Sequence, residues 1–152
     1  MMEHIYMNLH ETASSQAGVF AAIADIAYKA GICTSPEDVK KGLAEREALS
    51  TTGFQDGFAI PHTQTEDITK PALVIVRTET GIEWDAFDGK PCFFFLSLLI
   101  PKSEAGTTHL KALSALSRGL MDETKRQKLL ETRTNEDMLA VLETDILTRE
   151  DV

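Results

Sequence analysis

Hydrophobic positions in this chain keep a helical period at both ends and lose it in the middle. Val19, Phe20, Ile23, Ile26, Ala27 and Ala30 recur at helical spacing between about Ser14 and Ala30, and Gly31 supplies a stop. The next segment, SPEDVKKGLAEREAL, opens with Ser35 as an N-cap and Pro36 in the first turn. Glu37 and Asp38 stand where they complement the helix dipole. Val39, Leu43 and Arg46 follow at i, i+4 and i+7, so the spacing puts an arginine on the same helix face as an apolar stripe.

The middle of the chain has a different pattern. FAIPH, ALVIVRTE and CFFFLSLLIP are apolar, β-rich runs bounded by Gly, Pro and Asp, and each is expected to be a strand. Residues 92–100 are so evenly apolar that their strand should be covered on both faces. GIEWDAFDGK is expected to form a short strand or a hairpin, with Asp88-Gly89 as the turn signal. HIYMNL, residues 4–9, predicts one more short strand. Beyond residue 106 the helical period returns. His109, Leu113, Leu116 and Leu120 share a face of a helix preceded by GTT. Two shorter helices are expected, one after Asp122 and one after Asn135 carrying Met138, Val141 and Leu142. This order predicts a single α/β domain over residues 1–152, with helices packed on a central sheet.

Composition narrows the functional classes. The chain has 152 residues, 43% apolar and 26% charged, as expected of one soluble domain. A net charge of −9 and a pI of about 4.9 argue against nucleic acid as a partner and disfavour an anionic membrane surface. The longest apolar run, CFFFLSLLI, falls short of the ~20 residues that a membrane span needs. MMEHIYMNLHE has no basic segment leading into an apolar one, so no export signal is expected. Cys33 and Cys92 lack C-x-x-C spacing and are expected to be reduced thiols of a cytoplasmic protein, Cys92 as a small core residue.

Neither G-x-x-x-x-G-K-[ST] nor G-x-G-x-x-G occurs, so a nucleotide-binding enzyme is poorly supported. There is no H-E-x-x-H, and a metal shared by His62 and His109 needs a third ligand from His4, His10 or an acid. No metal or cofactor is expected. Three residues draw the argument. Pro61 fixes the backbone just before His62, so the ring of His62 leaves a strand end in a set direction. His109 stands in the first turn of a helix, on its apolar face, where the positive end of the dipole disfavours protonation. Arg46 shares the face of Val39 and Leu43. Taken singly, they read as a solvated turn histidine, a satisfied core histidine and an arginine in a surface ion pair with Glu45 or Glu47. Taken together they have chemistry in common. A neutral imidazole is a competent nucleophile towards a phosphoryl group. The dianionic adduct is then stabilised by an arginine, a second imidazole and a helix N-terminus.

REALSTTGFQDGFAIPHT resembles the signature around the phosphorylated histidine of the fructose/mannitol-type enzyme IIA domains of the bacterial sugar phosphotransferase system. The order D-G, apolar strand, proline and then H-L-x-x-L in the segment from Gly81 to Leu120 is similar to the same family, and the likeness covers about residues 10–143. The resemblance implies a mixed β-sheet flanked by α-helices. It implies His62 as the phosphorylated residue, His109 as a second active-site histidine and Arg46 as the arginine that holds the phosphate. It implies a cytoplasmic phosphocarrier, charged by the histidine-containing phosphocarrier protein HPr and discharged to enzyme IIB, with the membrane component IIC acting further downstream on a separate chain. The sugar or polyol is then of the fructose, mannitol or galactitol class. The alternative is the nitrogen-related branch, which shares the signature and binds targets according to its phosphorylation state. Phe58 and Thr63 depart from the family pattern, and both departures are expected to bear on partner docking.

Overall fold

The structure is a computed structural model that describes residues 4–104 and 106–147. The chain order is β1 (Ile5–Glu11), α1 (Gln16–Lys29), α2 (Pro36–Leu49), β2 (Phe58–Ala59), β3 (His62–Thr65), β4 (Ala72–Ile82), β5 (Cys92–Pro101), α3 (Thr107–Met121), α4 (Glu123–Leu130) and α5 (Asn135–Val141). A 3₁₀ turn over Lys102–Glu104 joins β5 to α3, and a π-helical turn over Leu142–Ile146 follows α5.

The sheet runs β1-β4-β5-β2, with β3 also pairing with β5. β4 and β5 are antiparallel, while β1 runs parallel to β4 and both β2 and β3 run parallel to β5. The sheet is therefore mixed, as expected. Its two faces carry separate cores. Val19, Phe20 and Ile23 of α1 and Val39 and Leu43 of α2 pack against Val74, Val76, Phe95 and Leu99. Ala112, Leu116 and Leu120 of α3 pack with Leu129 and Met138 against Leu73, Ile75, Phe94, Leu96 and Leu98. Alternate residues of β5 thus enter opposite cores, which is why residues 92–100 are apolar without a break. Each fully buried Leu, Ile, Val or Phe contributes roughly 1.5–3 kcal/mol, so the sandwich is held from both sides of one strand.

Local chemistry sets the helix ends. The Ser15 and Ser35 hydroxyls accept from the backbone N–H groups of Gly18 and Asp38, and Thr134 with Asp137 closes a capping box on α5. Three expectations are refined. FAIPH is not one strand but the end of β2 and the start of β3, because Pro61 has no N–H to continue the ladder. Pairing resumes with the Leu98 N–H donating to the Pro61 carbonyl at 3.0 Å. GIEWDAFDGK contains no separate strand: residues 83–91 close a β4–β5 hairpin, with Gly89 at φ +74° in its turn. Trp84 from that connection is buried against the rings of Phe20 and Phe95. The helix expected to start at His109 starts at Thr107, so His109 is its third residue.

Candidate active site

Helix α2 lies close against β3 and is fixed along its length. At its start, Asp67, just beyond β3, accepts from the backbone N–H groups of Thr34 and Ser35 and from the Thr34 hydroxyl. In its middle, a Cβ on Gly42 would collide with the Thr63 hydroxyl, so only glycine lets the helix approach this strand so closely. At its end, Glu47 accepts from the Thr52 N–H and the Thr52 hydroxyl, both at 2.6 Å, and from the Trp84 indole N–H at 3.1 Å. Arg46 is thereby held beside the first residue of β3.

That residue is His62, only 7% exposed. Its Nδ1 lies 2.8 Å from the Ile60 carbonyl oxygen. A carbonyl only accepts, so in the neutral ring Nδ1 carries the proton and the lone pair is on Nε2. Burial pushes the pKa of His62 down, the Ile60 carbonyl opposes this, and the charges of Arg46 and His109 add to the lowering. The ring is thus kept neutral near pH 7, the form in which it is a nucleophile. His109, 8% exposed, has its ring centroid 5.4 Å from that of His62, with the planes at 44°. Its pKa is also lowered, first by burial and then by Arg46. The expected direction is therefore found, with causes other than the helix dipole. Its Nδ1 is buried without a hydrogen-bond partner among the described residues.

Arg46 is half-buried and donates through Nη1 to the Ser50 carbonyl at 2.9 Å and the Ser50 hydroxyl at 3.4 Å. Neither acidic neighbour neutralises it. Glu45 pairs with Lys41 at 3.9 Å, and Glu47 is engaged by Thr52 and Trp84. The three residues singled out from the sequence meet at one cavity of about 820 Å³, whose wall also carries Lys41, Lys102 and Thr63 and the carboxylates of Asp38, Glu45, Glu66 and Asp67. Two imidazoles and one uncompensated guanidinium make a site suited to a nucleophile and to the anion formed on it.

The two departures from the family pattern act from inside the fold. Phe58 is wholly buried, its ring 4.6 Å from that of Phe94, and cannot itself meet a partner. Thr63 is 7% exposed and packs under Gly42, so its first effect is on the seating of α2. Sequence spacing shows neither Asp67 and Gly42 as anchors of α2 nor Glu47 as the acceptor for Thr52 and Trp84. The acid beside Arg46 and the threonines that follow in STT carried the available signal for Glu47.

The family model for the phosphoenolpyruvate-dependent sugar phosphotransferase system, EIIA 2, matches residues 1–145. The chain belongs to this EIIA family. EIIA proteins are phosphotransferase components. This EIIA chain is 37% identical over 136 residues to the fructose-specific EIIA component of Haloferax volcanii, covering 90% of this chain and 88% of that one. Among solved structures it is similar to the nitrogen regulatory protein IIA-Ntr of Neisseria meningitidis, with a TM-score of 0.80, 29% identity and coverage of 92% and 93%. It also shares the fold of the mannitol enzyme IIA of Escherichia coli solved in complex with phosphorylated enzyme IIB, with a TM-score of 0.72, 20% identity and coverage of 92% and 94%. No helix among the described residues is long and apolar enough to cross a membrane.

Proposed function

We propose that this chain is a cytoplasmic phosphocarrier in which Nε2 of His62 accepts a phosphoryl group from phosphorylated HPr and passes it to an enzyme IIB. The lone pair of Nε2 forms the new N–P bond as the donor's N–P bond breaks, and the donor imidazole leaves with that electron pair. Onward transfer repeats the exchange, with His62 as leaving group and a nucleophile of IIB as acceptor. Between the two steps the adduct carries about two negative charges. Arg46 offers charge-assisted N–H donors and His109 a ring N–H, so catalysis is in-line positioning plus charge stabilisation. The observation that carries this reading is the bond between Nδ1 of His62 and the Ile60 carbonyl, which puts the reactive lone pair on Nε2 beside an uncompensated arginine.

The similarity to a fructose-specific EIIA supports transport of a sugar or polyol of the fructose, mannitol or galactitol class. The mannitol enzyme IIA solved with IIB supports IIB as acceptor; in this reading IIC acts downstream of IIB. The likeness to IIA-Ntr supports a second reading, regulation by the phosphorylation state of His62. Incubation with phosphoenolpyruvate, enzyme I and HPr should place one alkali-stable phosphate on His62, mapped by mass spectrometry, and none on a His62→Gln variant. Phosphorylation of that variant to wild-type extent overturns the assignment. Discharge to a cognate IIB with sugar phosphorylation supports transport; a phosphorylated chain that no IIB discharges supports regulation.

A further inference from the structure

We propose a second anion-binding site in this molecule, formed by Arg77 and Arg133, remote from His62 and built for a dianionic phosphate group. These side chains line a separate cavity of about 310 Å³, with His10 and Glu79 at its rim. That is at the lower end of the roughly 300–1,000 Å³ of small-molecule sites. Arg77 is half-buried on β4, its guanidinium 5.7 Å from the centroid of the Phe94 ring. Its Nη1 donates to the Thr132 carbonyl at 2.9 Å and to the Thr132 hydroxyl at 3.3 Å. Nη1 of the exposed Arg133 donates to the carbonyls of Leu130 and Thr132, both at 3.3 Å. Two guanidinium groups therefore share one carbonyl, each using a single nitrogen and keeping most of its five donors.

The chain has 24 acidic residues against 15 lysines and arginines, yet no carboxylate of the described residues forms an ion pair with either arginine. Asp137 accepts from the backbone N–H groups of Arg133 and Thr134. Glu79 stands in the wall of the same cavity, exposed, and lies 4.0 Å from His10 Nδ1 rather than against either guanidinium. A purely structural account explains Arg77, which ties β4 to the turn between α4 and α5. It does not explain Arg133, which bonds only carbonyls of its own turn. Burial pushes the pKa of Arg77 down, and repulsion from Arg133 adds to the lowering. An anion between the two forks offsets that repulsion.

Paired planar forks match a phosphate bidentately. Phe93 and Leu130 give the same cavity an apolar wall, suited to the body of a small phosphate monoester. The site is distinct from the phosphoryl-transfer centre. On β4, Arg77 pairs with Phe94 and Leu73 pairs with Leu98, while His62 pairs with Leu98 from the other side of β5. Arg77 is thus roughly 13 Å further along the sheet, and on the opposite neighbour of β5.

The test is a titration of the ¹⁵N-labelled chain with inorganic phosphate and with glycerol 3-phosphate, each against sodium chloride at matched ionic strength. Saturable amide shifts are expected at residues 77–79 and 130–133, unchanged by His62→Gln, with Kd raised at least about 10-fold in Arg133→Gln. Tighter binding of glycerol 3-phosphate supports a monoester as the ligand, and equal binding supports the phosphate group alone. Shifts confined to the surroundings of His62, shifts reproduced by chloride, or an unchanged Kd in a folded Arg133→Gln variant overturn the site. The wild-type titration decides even where that variant fails to fold. The readout is independent of phosphoryl transfer, so it stands or falls apart from the proposed function.

Discussion

Replacing Arg46 by alanine separates its chemical role from its structural one. The structural loss is small. Its protein contacts are the carbonyl and hydroxyl of Ser50, an exposed residue that water can serve instead. The other anchors of α2, at Asp67, Gly42 and Glu47, are untouched. A change within about 0.5–1 kcal/mol follows, or no more than about 4 °C in melting temperature for a domain of this size. The chemical loss is larger, because a charge-assisted hydrogen bond to the phosphoryl group is worth about 1.5–3 kcal/mol. Transfer from HPr to His62, or from His62 to IIB, should therefore slow by roughly 10- to 100-fold.

The same variant moves the pH profile. Arg46 lowers the pKa of both His62 and His109, so its removal raises both. More of the His62 ring is then protonated at a given acid pH, and the acid limb of the rate profile shifts to higher pH. Arg46→Lys keeps the charge and should restore the acid limb, while recovering only part of the rate because an ammonium lacks the planar fork. Single-turnover transfer measured by rapid quench across pH 5.5–8 reads both effects. Wild-type rates in both variants with an unmoved acid limb would refute the reasoning.

Gly42→Ala should destabilise the fold by about 1–3 kcal/mol in denaturant titrations, despite alanine's better helix propensity, because the added methyl meets Thr63. Adding Thr63→Ala should restore most of the loss. Glu47→Gln should lower stability by about 1–3 kcal/mol by weakening its bonds from Thr52 and Trp84. Glu47 also raises the pKa of His62, so this variant should move the acid limb to lower pH, opposite to Arg46→Ala. Both active-site histidines titrate below the ordinary value of 6.5 in the folded chain, so between the folded value and 6.5 the unfolded chain binds more protons. Melting temperature should therefore fall as pH drops below about 6.5, and the His62→Gln/His109→Gln double variant should flatten that fall.

How far the sequence disclosed this arrangement depends on the range of each interaction. Helix α2 was legible to its ends because Ser35, Pro36, Val39 and Leu43 act within a few residues of one another, and Arg46 follows their period. The apolar run of β5 announced burial on both faces, and two cores now account for it. The break at Pro61 was harder to read, since the strand resumes only through a bond from Leu98, on another strand. No spacing brings His62 to His109. Their meeting depends on β3 pairing with the end of β5 and on the short turn that starts α3 beside it. The family signature supplied that pairing where periodicity was silent. Sequence proximity offers Glu47 as an ion-pair partner of Arg46, whereas its acceptor role depends on Trp84 in the hairpin beyond β4. Arg77 and Arg133 lie on different elements and share no local pattern, so their common carbonyl is visible only in the folded chain.

The charge on Arg46 serves both halves of a transfer cycle. Before transfer, burial holds the pKa of His62 down and the guanidinium adds to that lowering, which preserves the lone pair on Nε2. After transfer, the same guanidinium faces about two negative charges on the phosphoryl group, and its field changes from one that suppresses a cation to one that stabilises an anion. A carboxylate beside Arg46 would cancel both effects, and this accounts for the separate engagement of its two acidic neighbours. Lys41 takes Glu45, while Thr52 and Trp84 take Glu47. In a chain of net charge −9, with four carboxylates in the wall of this cavity, keeping Arg46 out of an ion pair depends on placing the two acids next to it in sequence with other partners.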